Sequence, residues 1–470
     1  MTLSRPVTLG VSILLITTVL LGGCDFVGEP SGEEARYTQA SAAPNGSPSS
    51  VLPDDLSDLC TESEADDKRL MCVPPEWNGE LVVYAHGWVP PQDALKIPGE
   101  ANAVLEADES FDVAHTVLGL GYGFATTSYS KNGFAIEQGV EDLADLVNGF
   151  RTPSLSNQQP SCPETVYLVG GSEGGLIAAL SAEGYGDSGK NVYDGTLATC
   201  GPYGSLEKQI RYFADFRVLF DVLLGDDIEG WARWRDDQPQ IPTQMINAWQ
   251  SDQLQPAVLR ALRRNPETTK DLIRLSGLAV DTGNPTEVGE AVLGVLRHNI
   301  LGTNDVISTL GGLPYTNRGT MYGRFWSDWR LNRQVERFDI DGPDETALNK
   351  VRDLTTTGEI EMPVMTLHTT EDPIVPFKQQ PTYRWKVTRE GLWRDHGAFP
   401  IIRQGHCNFK PEELLVAFDL LISRVKGSPL PLPAVERVLD GPVEREAFAE
   451  LRQEFKRETR TREINGTVAE

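Results

Sequence analysis

The stretch Thr165-Val166-Tyr167-Leu168-Val169-Gly170-Gly171-Ser172-Glu173-Gly174 decides how this chain folds. Its first half, β-branched and apolar, predicts a buried strand. The second half reads G-x-S-x-G, and Leu176-Ile177-Ala178-Ala179-Leu180 behind it predicts a helix of small and apolar residues. A serine on so sharp a strand-to-helix turn needs glycine on both sides. The turn lifts the hydroxyl clear of the sheet and leaves the next amide, that of Glu173, free to bind an oxyanion. In a chain with 44 glycines the bare pattern also arises as an ordinary βα turn. The flanking strand and helix are what give it meaning.

Working outward, residues 68–73 and Glu80–Ala85 (ELVVYA) read as strands joined by Pro74-Pro75-Glu76-Trp77-Asn78-Gly79. Apolar groups recur at helical spacing over 100–119, 123–128 reads as a strand, and 136–150 as an amphipathic helix. Further strands are predicted at 194–199, 362–368 and, briefly, 399–402, with a helix over 412–425 that packs on the sheet. Such alternation predicts an α/β fold, a mostly parallel sheet with helices on both faces.

Between 205 and 355 the rhythm gives way to helical patterns, 206–224 and 286–297 among them. This stretch holds Trp231, Trp234, Trp249, Trp326 and Trp329, five of the nine tryptophans. An insertion of about 150 helical residues between two strands must lie as a cap over one end of the sheet. Its tryptophans read as cap core before substrate contacts. Segment 311–324 reads as a cap loop, with lining of the site's entrance as the alternative. Residues 428–433 (SPLPLP) end the last helix, and 444–462 read as a charged, solvated helix or tail. The organisation expected is a signal at 1–23, a tether at 24–50, a core at 51–204 and 356–427, the cap at 205–355, and a charged tail at 428–470.

Arg5 precedes an apolar run, 7–21, too short to span a membrane, and the run ends in Leu21-Gly22-Gly23-Cys24. This resembles a bacterial lipobox, with Cys24 lipidated as the mature N-terminus. It implies an extracytoplasmic protein of the cell envelope, held to a membrane by lipid alone, while the choice of membrane and the oligomeric state stay open. Residues 25–50, rich in Ser, Gly, Pro, Ala and Glu, cannot bury enough surface to order themselves. The formal net charge of −26 argues against nucleic acid as a partner.

With Cys24 lipidated, five cysteines remain in an oxidising compartment. Cys60 and Cys72 lie close enough to close a small loop. Cys200 and Cys407 both belong at the C-terminal end of the sheet, so they are expected to pair. Cys162, ahead of the nucleophile strand, is left free.

A serine needs a base, usually histidine, oriented by a carboxylate. His406, in Gln404-Gly405-His406-Cys407-Asn408-Phe409, occupies the last loop before the terminal helix, ahead of His396 and His368 as candidates. Asp372, in Glu371-Asp372-Pro373-Ile374-Val375-Pro376, follows the strand at 362–368 and is preferred to Glu371. One oxyanion donor is the Glu173 amide, and the second comes from His86-Gly87-Trp88, through the amide of Trp88 or of Gly87. His86 itself reads as a residue that orients that loop. No His/Cys spacing suggests a metal, and the chemistry requires no cofactor.

The order Ser172, Asp372, His406, the elbow and the His86-Gly87 loop resemble the α/β-hydrolase superfamily over roughly 70–205 and 356–425. Within it, Pro75-Glu76-Trp77-Asn78-Gly79 and Gly405-His406-Cys407 are similar to secreted esterases of the tannase and feruloyl-esterase type. Those enzymes carry a cysteine just before the serine, bonded to the one after the histidine; here Gly171 stands in that place. The resemblance implies the α/β-hydrolase fold with a cap, and a serine hydrolase acting on a small or oligomeric ester. A peptidase with the same triad is one alternative, and a catalytically silent binding protein on the same fold is another.

Overall fold

The structure, a computed structural model, describes residues 59–63, 68–97, 113–150, 162–186, 191–323, 328–340 and 342–431, together with 433, 435, 438 and 445–453. The signal, Cys24, the tether and Trp326 lie outside the described residues.

Eight strands form one sheet: β1 (Cys60–Ser63), β2 (Arg69–Cys72), β3 (Glu80–Ala85), β4 (Gly123–Thr127), β5 (Thr165–Gly171), β6 (Gly195–Thr199), β7 (Val364–Glu371) and β8 (His396–Gln404). Their spatial order is β1-β2-β4-β3-β5-β6-β7-β8. Only the β1–β2 and β2–β4 pairings are antiparallel. Every other neighbour pair is parallel. Side chains alternate across a strand, and β3 shows what that achieves. Leu81, Val83 and Ala85 enter one core, with the helices α2 (Ile136–Gly149) and α3 (Glu173–Ala182). Val82 and Tyr84 enter the other, with α1 (Val113–Gly119) and α12 (Pro411–Lys426). A sheet buried on both faces reads as a nearly continuous apolar run, which is why β3 and β5 stand out in the sequence.

Among the described residues, seven α-helices lie between β6 and β7, α4 (Leu206–Leu223), α5 (Thr243–Gln250), α6 (Leu254–Arg264), α7 (Pro266–Ser276), α8 (Pro285–Leu310), α9 (Asp328–Gln334) and α10 (Gly342–Asp353). Helices α4 to α9 build a third core, which includes Trp234 and Trp249 and takes in Ile374 and Val375 from the turn after β7, while Ala347 and Val351 of α10 join the core beneath α2 and α3. The eleventh helix, α11 (Gln379–Arg389), joins β7 to β8. Strand order, crossover helices and the position of the inserted helices are those of the α/β-hydrolase fold.

Two expectations need correction. Cys162 is not a free thiol: it is disulfide-bonded, and no described cysteine is free. The odd count rested on lipid taking Cys24, and its position away from Cys200 and Cys407 leaves those two to each other. The tail is not solvated throughout either. Phe448, in the helical segment 445–453, is buried in the α12 core, and Arg452 pairs with the buried Asp419 at 2.8 Å.

Candidate active site

The elbow is built by close packing. Ser172, between β5 and α3, takes φ 57° and ψ −121°, a strained conformation for a residue with a side chain. Glycine makes it possible on both flanks. A Cβ on Gly170 would lie 2.1 Å from the Gly174 carbonyl oxygen, and one on Gly174 would lie 2.0 Å from that of Ala85. Ser172 is pinned by its own N–H, which donates to the Thr199 carbonyl of β6 at 3.0 Å. Glu173 opens α3, so its N–H has no acceptor within the helix.

Asp372 follows β7 and is 1% exposed. Its Oδ1 accepts the N–H groups of Ile374 (2.8 Å) and Val375 (2.9 Å), which aims Oδ2 at His406 Nδ1, 2.7 Å away. On the far side of the ring, His406 Nε2 stands 2.8 Å from Ser172 Oγ. The structure thus brings the three residues into one hydrogen-bonded line. Burial alone would raise the Asp372 carboxyl. The His406 charge, with hydrogen bonding from His368 and His406, outweighs burial and holds it down at about 2.

Two neighbours surround this line: His368, read from the sequence only as a lesser candidate for the base, and His298, which had no signal there beyond its residue type. His368 is fully buried in β7, four residues ahead of Asp372. Its Nε2–H donates to the Val375 carbonyl at 2.9 Å and lies 3.5 Å from Asp372 Oδ2, while the Tyr203 hydroxyl donates to its Nδ1 at 3.1 Å. It therefore buttresses the carboxylate and does not approach Ser172. The cap supplies the other. His298 of α8 donates Nδ1–H to the Gly294 carbonyl at 2.8 Å, and its ring lies 4.8 Å from that of Trp88 and 5.1 Å from that of Phe213. Burial pushes it down to about 3, so it is a neutral acceptor at the edge of the site. His396 sits at the start of β8 against Thr366 and Tyr383, at the other end of the sheet.

Gly87 runs against the nucleophile, where a Cβ would meet Ser172 Cβ at 3.2 Å. His86 holds this loop in shape. Its ring stacks on Tyr129 at 3.9 Å, its Nδ1–H donates to the Gly87 carbonyl at 2.7 Å, and Tyr129 Oη–H donates to its own carbonyl at 3.0 Å. Burial lowers its pKa to about 4, which suits a neutral structural ring.

The disulfides Cys60–Cys72, across the β1–β2 pair, and Cys200–Cys407 are both formed. The second ties the end of β6 to the residue after His406, with Cys407 Sγ 3.6 Å from His406 Nε2. Cys200, His406 and Cys407 form the one group of possible metal ligands found among the described residues. Sulfurs bonded to each other are not thiolate ligands, so this group does not fit a metal.

Two cavities meet at Ser172. The smaller, about 130 Å³, is lined mainly by apolar side chains, Trp234, Leu313 and Tyr315 of the cap among them. Leu313 and Tyr315 belong to the segment 311–324, which therefore reaches the site as well as bridging the cap. The wider cavity, about 670 Å³, mixes apolar walls with the charged and polar side chains of Glu287, Glu290, Arg297, Arg403 and Asn408. Gly87, Trp88, His298 and His406 also border it. Among the described cap tryptophans, Trp329 is exposed at 53% and only Trp234 lines the small cavity.

No family model and no curated protein matches the sequence. Among solved structures, feruloyl esterase B from Aspergillus oryzae is similar at 14% identity over 79% of this chain and 80% of its own, with a TM-score of 0.40. Candida antarctica lipase A in its closed state is similar at 14% identity over 77% and 74%, TM-score 0.39. The acylaminoacyl peptidase of Pyrococcus horikoshii matches at 9% identity over 80% and 42%, TM-score 0.34. At such distances what these proteins act on does not transfer to this chain.

Proposed function

We propose that the protein is a serine hydrolase that cleaves a carboxylic ester through an acyl-enzyme on Ser172. The observation that carries the reading is the line Ser172 Oγ–His406 Nε2–His406 Nδ1–Asp372 Oδ2, with contacts of 2.8 and 2.7 Å. His406 takes the serine proton as Oγ attacks the carbonyl, and Asp372, held ionised, fixes the Nδ1–H tautomer and stabilises the imidazolium. The Glu173 amide and that of Trp88 or Gly87 stabilise the tetrahedral oxyanion. His406 then protonates the leaving alcohol, and water, activated by the same ring, releases the acid.

A fluorophosphonate probe tests this. The wild-type protein should label, and Ser172→Ala should not; a wild type that stays unlabelled under varied conditions sinks the reading. Short-chain aryl esters compared with aminoacyl and peptidyl amides then separate esterase from peptidase.

We also infer from the lipobox-like Leu21-Gly22-Gly23-Cys24 that the protein is a lipid-anchored envelope protein. Lipidation of Cys24 leaves Cys162 without a cysteine to pair with, so the disulfide-bonded Cys162 of the structure describes the unlipidated chain, and a Cys162 thiol marks the anchored one. Mass mapping of unreduced peptides decides: a free Cys162 beside a lipid-modified Cys24 supports the anchor, and a Cys24-linked Cys162 peptide excludes it.

A further inference from the structure

The small cavity beside Ser172 contains more than a plain hydrocarbon chain would need. Most of its wall is apolar, but Gln209 of α4 lines it and is only 4% exposed. Its Nε2 donates to the Ile374 carbonyl at 2.8 Å. Only the NH₂ end of an amide can do so, and this fixes which end is which. The other end, Oε1, is buried and has no hydrogen-bond partner among the described residues. A buried acceptor without a donor is costly and rare in folded proteins.

The carboxyl of Glu173 belongs to the same wall and meets only a long contact, 3.4 Å, from the Ala135 N–H. No lysine or arginine lines the cavity. At about 130 Å³ its volume compares with cavities that hold a single benzene ring.

We propose that this cavity is the acyl subsite for a compact, uncharged group, about one six-membered ring in size, bearing a hydrogen-bond donor that Gln209 Oε1 receives. The proposal rests on the hydrolase reading above and names its substrate class. A carboxylate on the acyl group would lose its water with no cation in the wall to meet it. An ammonium would shed its water among Trp88, Phe134, Ile210 and Phe213 for one weakly partnered carboxyl. A long chain exceeds the volume. The leaving group falls to the wider cavity, which also reaches Ser172 and carries the charged side chains.

The test is kcat/KM for 4-nitrophenyl esters of cyclohexanecarboxylic acid, its 3- and 4-hydroxy derivatives, its 4-ammonio derivative, and decanoic acid. At least one hydroxy ester should exceed the parent by about tenfold or more, the loss expected when a buried acceptor goes unpaired. The ammonio and decanoyl esters should fall below the parent. In Gln209→Leu, or in Gln209→Met should the first not fold, the hydroxy-to-parent ratio should collapse to about one. Equal rates for parent and both hydroxy esters, a preference for the ammonio ester, or a ratio that survives in the variant overturns the subsite. Labelling of Ser172 without turnover of any of these esters overturns the subsite alone. No labelling and no turnover together remove the hydrolase reading and the subsite with it.

Discussion

Glu173 carries two separate duties on one residue. Its amide faces the site, while its carboxyl is buried among apolar walls and pushed up to about 8, chiefly by that burial. The folded state therefore keeps a proton that the unfolded chain releases near 4.5. Stability from this group is full below the unfolded value and is lost as pH rises toward 8. Glu173→Gln, neutral at every pH, should lose less melting temperature between pH 5 and pH 8 than the wild type, a difference of a few kcal/mol at most. An unchanged profile would mean that the carboxyl is ionised in the fold. Asp372→Asn should leave the melting temperature nearly intact, because Oδ1 can still accept from Ile374 and Val375. It should cut kcat by about 10⁴, because the amide stabilises the wrong imidazole tautomer. Kinetics above the background of Ser172→Ala would check this.

Among the elements, the Cys200–Cys407 link deserves its own measurement. It joins the end of β6 to the loop after β8 across 207 residues of sequence. Cys200→Ala with Cys407→Ala should lower stability by about 3–5 kcal/mol, since a long loop is no longer closed in the unfolded chain. It should also lower kcat more than it raises KM, because the loop that carries His406 then loses its covalent tether to β6. A variant with unchanged kcat would show that the link serves stability alone. The elements also show what sequence can carry. Strands β3 and β5 are legible because both faces are buried. Strand β8, read as 399–402, runs His396–Gln404; its ends, His396-Gly397 and Arg403-Gln404, are half-buried at the sheet's edge and carry no apolar signal. Helix α8 runs past the predicted 297 to Leu310; Asn299 and Thr303, polar but buried in the lining of the small cavity, interrupt the apolar pattern and hide that continuation. Ser172, Asp372 and His406 were each readable from a turn that ends a strand. Gln209 and His298 were not, since helical periodicity tells nothing of which cap residue overlies the elbow.

Taken whole, the molecule is strongly acidic, with 68 acidic against 42 basic residues. Surface ion pairs such as Lys270–Glu267 weaken in salt, but each contributes little, whereas the net charge repels itself throughout. Repulsion should win. Raising sodium chloride from about 10 mM to about 0.5 M should raise the melting temperature, and a fall would mean that specific pairs dominate.

The inserted cap parts the chain between Ser172 and the other two residues of the line. That arrangement makes the loops between the cap helices the natural place for a protease to cut. Any cut between Cys200 and Cys407 yields one fragment with Ser172 and another with His406, yet the disulfide still joins them. A protein clipped in its cap should therefore run as one species on a non-reducing gel and as two after reduction. Its hydrolytic machinery would survive as a two-chain molecule for as long as that one sulfur–sulfur bond does.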